Sequence, residues 1–473
     1  MFSLAALIPI IAPDWPPIPN LPSAPFSGIA IDSRQVQPGN LFIAFPGENS
    51  DGHNYVANAF AQGAQAALIQ RPLDQPFPTL NLHAPPPANL PANLTNLCLL
   101  VPNTLTTLQQ LATSWRTQFD LPVVGITGSV GKTSTKELVA SVLAQNFNIL
   151  KTPGNYNNEI GLPLTLLGLN QTHQWAVFEM GMYARGEIER LCQIAGPQIG
   201  VITNVGPVHL ERLGSIEAIA AAKQELVEAL PPSGTAILNY DEPLVMSMAP
   251  HTPANIFTYG LNPQADLWAD NIETMGLDGL RFHLHYQNET IPLHVPLLGR
   301  HSVHTALRAA AVGLVAGLSW PQIIAGLQNN EDQLRLVVIP GPRDSLLIDD
   351  TYNASPASAI AALNLLNDIN GRHIAVLGDM LELGSAEEES HRRVGRRARD
   401  VAHILVAVGS RGRIIGEEAL NVGMPPANVH FATDPAAATA ILEKIIRSQD
   451  IILIKGSLGA RLERIVANLS RMV

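Results

Sequence analysis

The stretch GSVGKTS sets two glycines against a lysine and several hydroxyls: Gly128, Ser129, Val130, Gly131, Lys132, Thr133 and Ser134. It follows the apolar run LPVVGIT and opens a helical pattern, the context a phosphate-gripping loop requires. Glycines let backbone N–H groups close on phosphate oxygens, and the helix N-terminus favours an anion. Lys132 then suits the β- and γ-phosphates of ATP, and the Thr133 hydroxyl suits Mg²⁺. The plainer reading is a glycine turn. The spacing is odd, because Gly125 stands seven places before Lys132, where the general pattern has its first glycine six places before.

Three more residues have types that suit metal or acid–base work. Glu179 closes the apolar run WAVFEM. An acid at the carboxyl end of a parallel strand faces the crevice where ligands bind, and it can hold Mg²⁺ directly or through water. Otherwise it is a surface carboxylate. His209 lies in the loop NVGPVHLERLGS after another strand-like run, where a histidine is as often solvated as a ligand. Lys223 falls inside the helical stripe of Ile216, Ile219, Leu226, Val227 and Leu230. There it either snorkels to water or is buried with a lowered pKa. A neutral amine can take up CO₂ as a carbamate, an oxygen ligand for Mg²⁺.

Amide and acid side chains cluster twice more. TPGNYNNEIGLP holds Asn155, Asn157, Asn158 and Glu159, read as a capped turn or as contacts to a polar substrate. LIDDTYNASP places Asp350 after a strand, with Tyr352 and Asn353 at a helix start, where an Asx-type cap is the alternative.

The elements that must position these residues alternate. LPVVGIT, NILKT, WAVFEM, IGVITNV and TAILNY read as strands with helical segments between most of them, including one from Thr133 to about Gln145. Such βα repetition gives a largely parallel sheet covered on both faces. Residues 265–297 alternate like hairpins, and HTALRAAAVGLVAGL is an apolar helix. A second βα series runs through DSLLIDD, RHIAVLGD, HILVAVG, NVHFAT and IILIKG. Ahead of the first series lie LFIAFPG, an Ala-rich helix near 55–66 and the Pro/Asn-rich loop Leu73–Asn96. The fold class is therefore α/β in three domains: 1–102, a central P-loop domain 103–330, and a Rossmann-like domain 331–473.

Composition narrows the classes. The 29 Lys+Arg against 40 Asp+Glu give a net charge of −11, which argues against bulk nucleic-acid binding. Cys98 and Cys192 form no metal or redox motif and suit a reduced compartment. The apolar start MFSLAALIPII lacks a basic region and a cleavage site, so a buried first element is expected. No apolar run reaches the roughly 20 residues of a membrane span.

In order along nearly the whole chain, these stretches resemble the Mur ligases, ATP-dependent amide-forming enzymes of peptidoglycan synthesis. IDSRQVQPGNLFIAFPGENSDGHNYV resembles their N-terminal domain. GSVGKTS, TPGNYNNEIGLP, FEMG, NVGPVHLERLGS and AAKQE resemble the central ATPase domain, and DDTYNASP, LGDMLELG and ILIKGS the C-terminal one. The family carries G-x-x-G-K-[TS], which accommodates the odd spacing.

The resemblance implies that Gly128–Ser134 bind ATP, with Lys132 on phosphate and Thr133 on one of two Mg²⁺ ions. Glu179, His209 and a carbamylated Lys223 become metal ligands, and Asp350 and Arg335 meet the ATP ribose and phosphates. Asn157, Asn158, Tyr352 and Asn353 fall to the substrate, and Ser33, Arg34 and Asp51 to a uridine nucleotide. The implied reaction adds D-alanyl-D-alanine to UDP-N-acetylmuramoyl-tripeptide through an acyl phosphate, in the cytoplasm, by a monomer. The competing readings are the tripeptide-forming relative, whose DNPR motif is absent here, and a P-loop ATPase switch that makes no amide. The chain departs from the family at Ser302 and Thr305, where asparagines are usual near the adenine, and at Leu334, where glycine is usual.

Overall fold

The computed structural model describes residues 1–18, 21–47, 50–87, 94–208, 210–329 and 337–470. His209 and Arg335 lie outside the described residues. Two compact units account for the chain. One comprises Met1–Pro122, Thr152–Gln174 and Arg190–Gly196; the other comprises Val123–Lys151, Trp175–Glu189 and Pro197–Val473.

The first unit holds a parallel five-stranded sheet in the order Ile29–Ala30, Leu41–Ile43, Ala66–Ile69, Leu97–Leu100, Thr79–Asn81. The strand Thr79–Asn81 falls within the stretch the sequence presents as a Pro-rich loop. Its only sheet partner among the described residues is Leu97–Leu100, and an edge strand tolerates prolines on either side. The apolar start folds as a helix, Leu4–Ile11, with Leu4, Leu7 and Ile8 buried. The helix Thr104–Arg116, capped by Asn103, is held to the segment 152–174. Gln109 donates to the Glu159 carbonyl, and the Trp115 indole N–H to the Leu169 carbonyl.

The second unit holds two sheets. The larger has nine strands. Its parallel part runs Leu267–Thr274, Asn255–Gly260, Thr235–Asn239, Ile199–Ile202, Val123–Thr127, Trp175–Glu179, Ile149–Lys151. The hairpin-like alternation becomes the antiparallel strands Leu280–Tyr286 and Glu289–Val295 at one end. The strand Asn255–Gly260, absent from the sequence reading, continues the parallel order because Asn255–Tyr259 pairs residue for residue with Thr235–Asn239. Helices Lys132–Leu143 and Ser302–Val315 bury Leu138, Val139, Ala306 and Ala310 against one face. On the central strands the helix Ile216–Glu228 sets Leu226 against Gly125 and Gly200.

The second sheet has six strands in the order Val337–Pro340, Leu346–Asp350, Asp450–Lys455, Arg372–Leu377, Ile404–Val408, Val429–Ala432, parallel except for the first. The second βα series thus forms a sheet of its own. With the five- and nine-stranded sheets it gives the three-domain α/β architecture.

Candidate active site

Parallel register carries Thr127, Glu179 and Ile202 to the same edge of the large sheet: Ile126 is paired with Glu179 and with Val201, and Thr127 with Ile202. The loop leaves Thr127 there and enters the helix Lys132–Leu143. Two backbone positions make the turn. Gly128 has φ +149°, and a Cβ on it would lie 1.8 Å from Thr203 Oγ1; Gly131 has φ +84°. Neither position tolerates a larger residue without strain.

The loop is bracketed from the neighbouring strand end. Val130 N–H donates to Asn204 Oδ1 at 3.0 Å, and the Val130 carbonyl accepts from Thr203 Oγ1 at 2.7 Å and Asn204 Nδ2 at 2.9 Å. The Gly206 N–H donates to Ser129 Oγ at 2.8 Å. Lys132 Nζ folds back to the Gly128 carbonyl at 2.8 Å. Thr133 Oγ1 donates to Glu179 Oε2 at 2.6 Å. The acid is buried, at 1 % exposure, so it is not the surface carboxylate of the plainer reading.

Gly125 takes a different part from a phosphate-loop glycine. It pairs with Gly200 on the adjacent strand, and a Cβ at Gly125 would come within 2.9 Å of Leu226 Cδ1. The two bare positions let the helix Ile216–Glu228 lie close on the sheet. That helix, capped by Ser215, carries Lys223 inward at 2 % exposure. Snorkelling is not what this lysine does. Burial, and then the charge of Lys132, push its pKa well below the usual lysine value. Among the described residues its amine has no hydrogen bond or ion pair. The edge therefore combines two hard oxygen donors, Glu179 and Thr133, with a buried amine whose pKa is lowered. This donor chemistry fits Mg²⁺.

The other residues picked out from sequence divide between two places. On the third sheet, Asp350 ends its strand and accepts from Lys455 Nζ at 2.6 Å. The same ammonium donates to the Asn353 carbonyl at 2.8 Å, fixing the turn that holds Tyr352 and Asn353. The helix that follows is capped by Ser355, not by Asn353. In the first unit, Arg34 lies on Asp32, with Nη2 to Oδ2 at 2.7 Å, and Ser33 is buried between them in sequence. Asp51 accepts from the His53 backbone N–H at 2.9 Å and Arg71 Nη2 at 2.9 Å, and its Oδ1 lies 2.6 Å from His53 Nδ1. Desolvation raises the Asp51 pKa, but these bonds outweigh it and hold the carboxyl at about 2. Asn158 Oδ1 accepts from the Gly161 N–H at 2.8 Å, as a turn cap does, and the Asn157 N–H donates to the Asn155 carbonyl at 2.7 Å.

Sequence reasoning missed Asn204, Thr203, Lys455 and Arg71. The first and third stand inside motifs quoted above. What singles them out is strand adjacency, which a linear pattern does not carry.

Three segments match family models: the Mur ligase family catalytic domain at residues 25–115, the Mur ligase middle domain at 126–313, and the Mur ligase glutamate ligase domain at 334–458. The chain is 36% identical over 450 residues to the UDP-N-acetylmuramoyl-tripeptide–D-alanyl-D-alanine ligase of Synechocystis sp., covering 94% of this chain and 92% of that one. MurF from Acinetobacter baumannii superposes with a TM-score of 0.86 at 30% identity, over 100% of this chain and 99% of that one. MurF ligase from Thermotoga maritima, solved in complex with ADP, gives 0.79 at 25% identity over 94% and 98%. A bracketed phosphate loop, an inward lysine and three sheets matched end to end have one explanation: the chain belongs to the Mur ligase family.

Proposed function

We infer that this protein is an ATP-dependent ligase that joins D-alanyl-D-alanine to UDP-N-acetylmuramoyl-tripeptide and releases ADP and phosphate. The observation that carries the reading is Lys223, an inward, almost fully buried amine on the helix that lies against the central strands, its pKa lowered by burial and then by the charge of Lys132. Simple ATP hydrolysis has no need of it. The near full-length likeness to relatives named for this reaction supports the choice of substrates.

Lys132 and the loop N–H groups grip the phosphates of ATP and orient the terminal phosphoryl group toward the tripeptide carboxylate. Glu179, Thr133, His209 and Lys223 as its carbamate are the residues that would hold Mg²⁺, which offsets repulsion between anionic reactants when bound. The carboxylate attacks the γ-phosphorus, ADP departs, and an acyl phosphate results. The dipeptide amine then adds to the acyl carbon and inorganic phosphate leaves. Asp350 is assigned to the ribose and Arg335 to the phosphates. Asn157, Asn158, Tyr352 and Asn353 are assigned to the peptide, and Ser33, Arg34 and Asp51 to the uridine nucleotide. Domain joins are assigned near 102 and 330, a division that the presence of three separate sheets supports. The reaction is placed in the cytoplasm, consistent with two free cysteines, both buried; among the described residues no helix is long and apolar enough to cross a membrane.

A substrate panel tests this. Phosphate release is expected to require both UDP-N-acetylmuramoyl-tripeptide and D-alanyl-D-alanine, and to match peptide product one for one. Equal turnover with the dipeptide-stage precursor and diaminopimelate, or ATP hydrolysis indifferent to peptide, overturns it.

A further inference from the structure

The helix Ser302–Val315 carries one charged residue into the interior, Arg308, at 4 % exposure. Its Nη1 donates to the Thr203 carbonyl at 3.3 Å, and its Nη2 to Thr305 Oγ1 at 2.8 Å. Nη2 also lies 3.5 Å from where a Cβ on Gly131 would stand, directly before Lys132. The guanidinium is thus bonded to the strand end that brackets Val130 and lies beside the turn that opens the helix. Tyr259 lies 5.8 Å below it, ring to guanidinium carbon, and shares the Thr203 carbonyl.

Among the described residues this cation has no partner of opposite sign. Asp241, the acid on the neighbouring strand end, is taken by His304 at 3.0 Å and by the N–H groups of Leu261 and Asn262. Arg308 Nε is buried without an acceptor, and Thr127 Oγ1 and Thr135 Oγ1, on either side of the loop, share that condition. Of the four such atoms among the described residues, three therefore belong to this neighbourhood. Buried charges and polar groups are normally satisfied. A buried guanidinium beside the phosphate loop, with no counter-ion among the described residues, is a charge that a bound anion would balance.

We propose that Arg308 is a positioning residue for the nucleotide: it is bonded to the Thr203 carbonyl and packed beside Gly131, and its charge is balanced by the phosphates of the bound nucleotide. The proposal rests on the ATP-binding reading above. Arg308 supplies the loop with a second fixed cation behind Lys132, and makes nucleotide affinity depend on phosphate charge more than on the base.

The test uses the full-length chain as wild type, R308Q and R308K, with adenosine and ADP as probes in calorimetry and melting of the ligand-free protein alongside. R308Q is expected to weaken ADP about tenfold or more, R308K less, and adenosine less than about twofold. Ligand-free R308Q is expected to melt no lower than wild type, because a buried unpaired charge has been removed. Equal weakening of ADP and adenosine overturns the proposal, as does a ligand-free R308Q that melts lower or does not fold. A wild type that binds no ADP overturns the proposed function and this inference together. A wild type that binds ADP and ligates, with R308Q indistinguishable from it, overturns this inference alone.

Discussion

Lys223 and Lys455 are buried to the same degree, at 2 % exposure each, yet they are handled in opposite ways. Lys455, at the end of a strand in the third sheet, meets the Asp350 carboxylate at 2.6 Å and a backbone carbonyl at 2.8 Å. Lys223, beside the large sheet, meets neither an acid nor an acceptor among the described residues, and faces the repulsion of Lys132. One lysine completes a scaffold, and the other is buried with no counter-ion among the described residues. The lesson concerns partners rather than burial. An ammonium paired in a dry place is part of the architecture, and an unpaired amine in an equally dry place is available for chemistry.

Removing each lysine breaks the comparison in a different assay. Lys223→Ala is expected to lower turnover by at least about 10²–10³-fold while the protein stays folded, and short carboxylates should restore part of the rate. Full activity in the unassisted variant removes the carbamate role. Lys455→Met is expected to cost about 3 kcal/mol in urea unfolding, because it removes a buried cation bonded to a mostly buried carboxylate. Asp350→Asn in the same chain should recover much of that loss. No change on Lys455→Met would mean the pair contributes nothing to the scaffold.

The first unit sharpens the same distinction with a smaller effect. Asp51 is a paired group, held at about 2 by its bonds to His53 and Arg71 against the opposing effect of burial. Its folded pKa lies below the unfolded value of 3.8, so its contribution is present above pH ~4 and is lost as pH falls through about 2. Asp51→Asn should therefore lower stability by a constant amount at neutral pH, and the gap from wild type should close between pH ~4 and ~2. A gap that persists unchanged at pH ~2 means that the ionised carboxylate is not what stabilises this turn.

The fold was largely legible because strands buried on both faces make apolar runs and the helices between them keep a 3.6-residue period. The phosphate loop was legible because its function needs glycines and a lysine at fixed offsets. Lys223 stood out as a cation in an apolar stripe. Other features depend on which strands become neighbours. Lys455 reaches Asp350, 105 residues away, only because their strands lie side by side in the sheet. Asn204 and Thr203 bracket Val130 because the strand Ile199–Ile202 pairs with Val123–Thr127. Gly125 reads from sequence as a displaced loop glycine, and its use as a seat for Leu226 follows from the opposing Gly200. Arg308 is hidden in a run of alanines whose pattern announces only a packed helix.

The route of the chain has its own consequence. Residues 152–174 and 190–196 return to the first compact unit after the chain has already entered the second. The helix Thr104–Arg116 finds its tryptophan and glutamine acceptors on the first of those returns. A fragment cut at Pro122 would end after that helix but lack what it leans on. Expression of residues 1–122 alone should give a soft, aggregation-prone product, and a protease nick between 152 and 159 should loosen the first unit. A ribosome must likewise deliver about 200 residues before the first unit has all of its parts, although its sheet ends at Leu100.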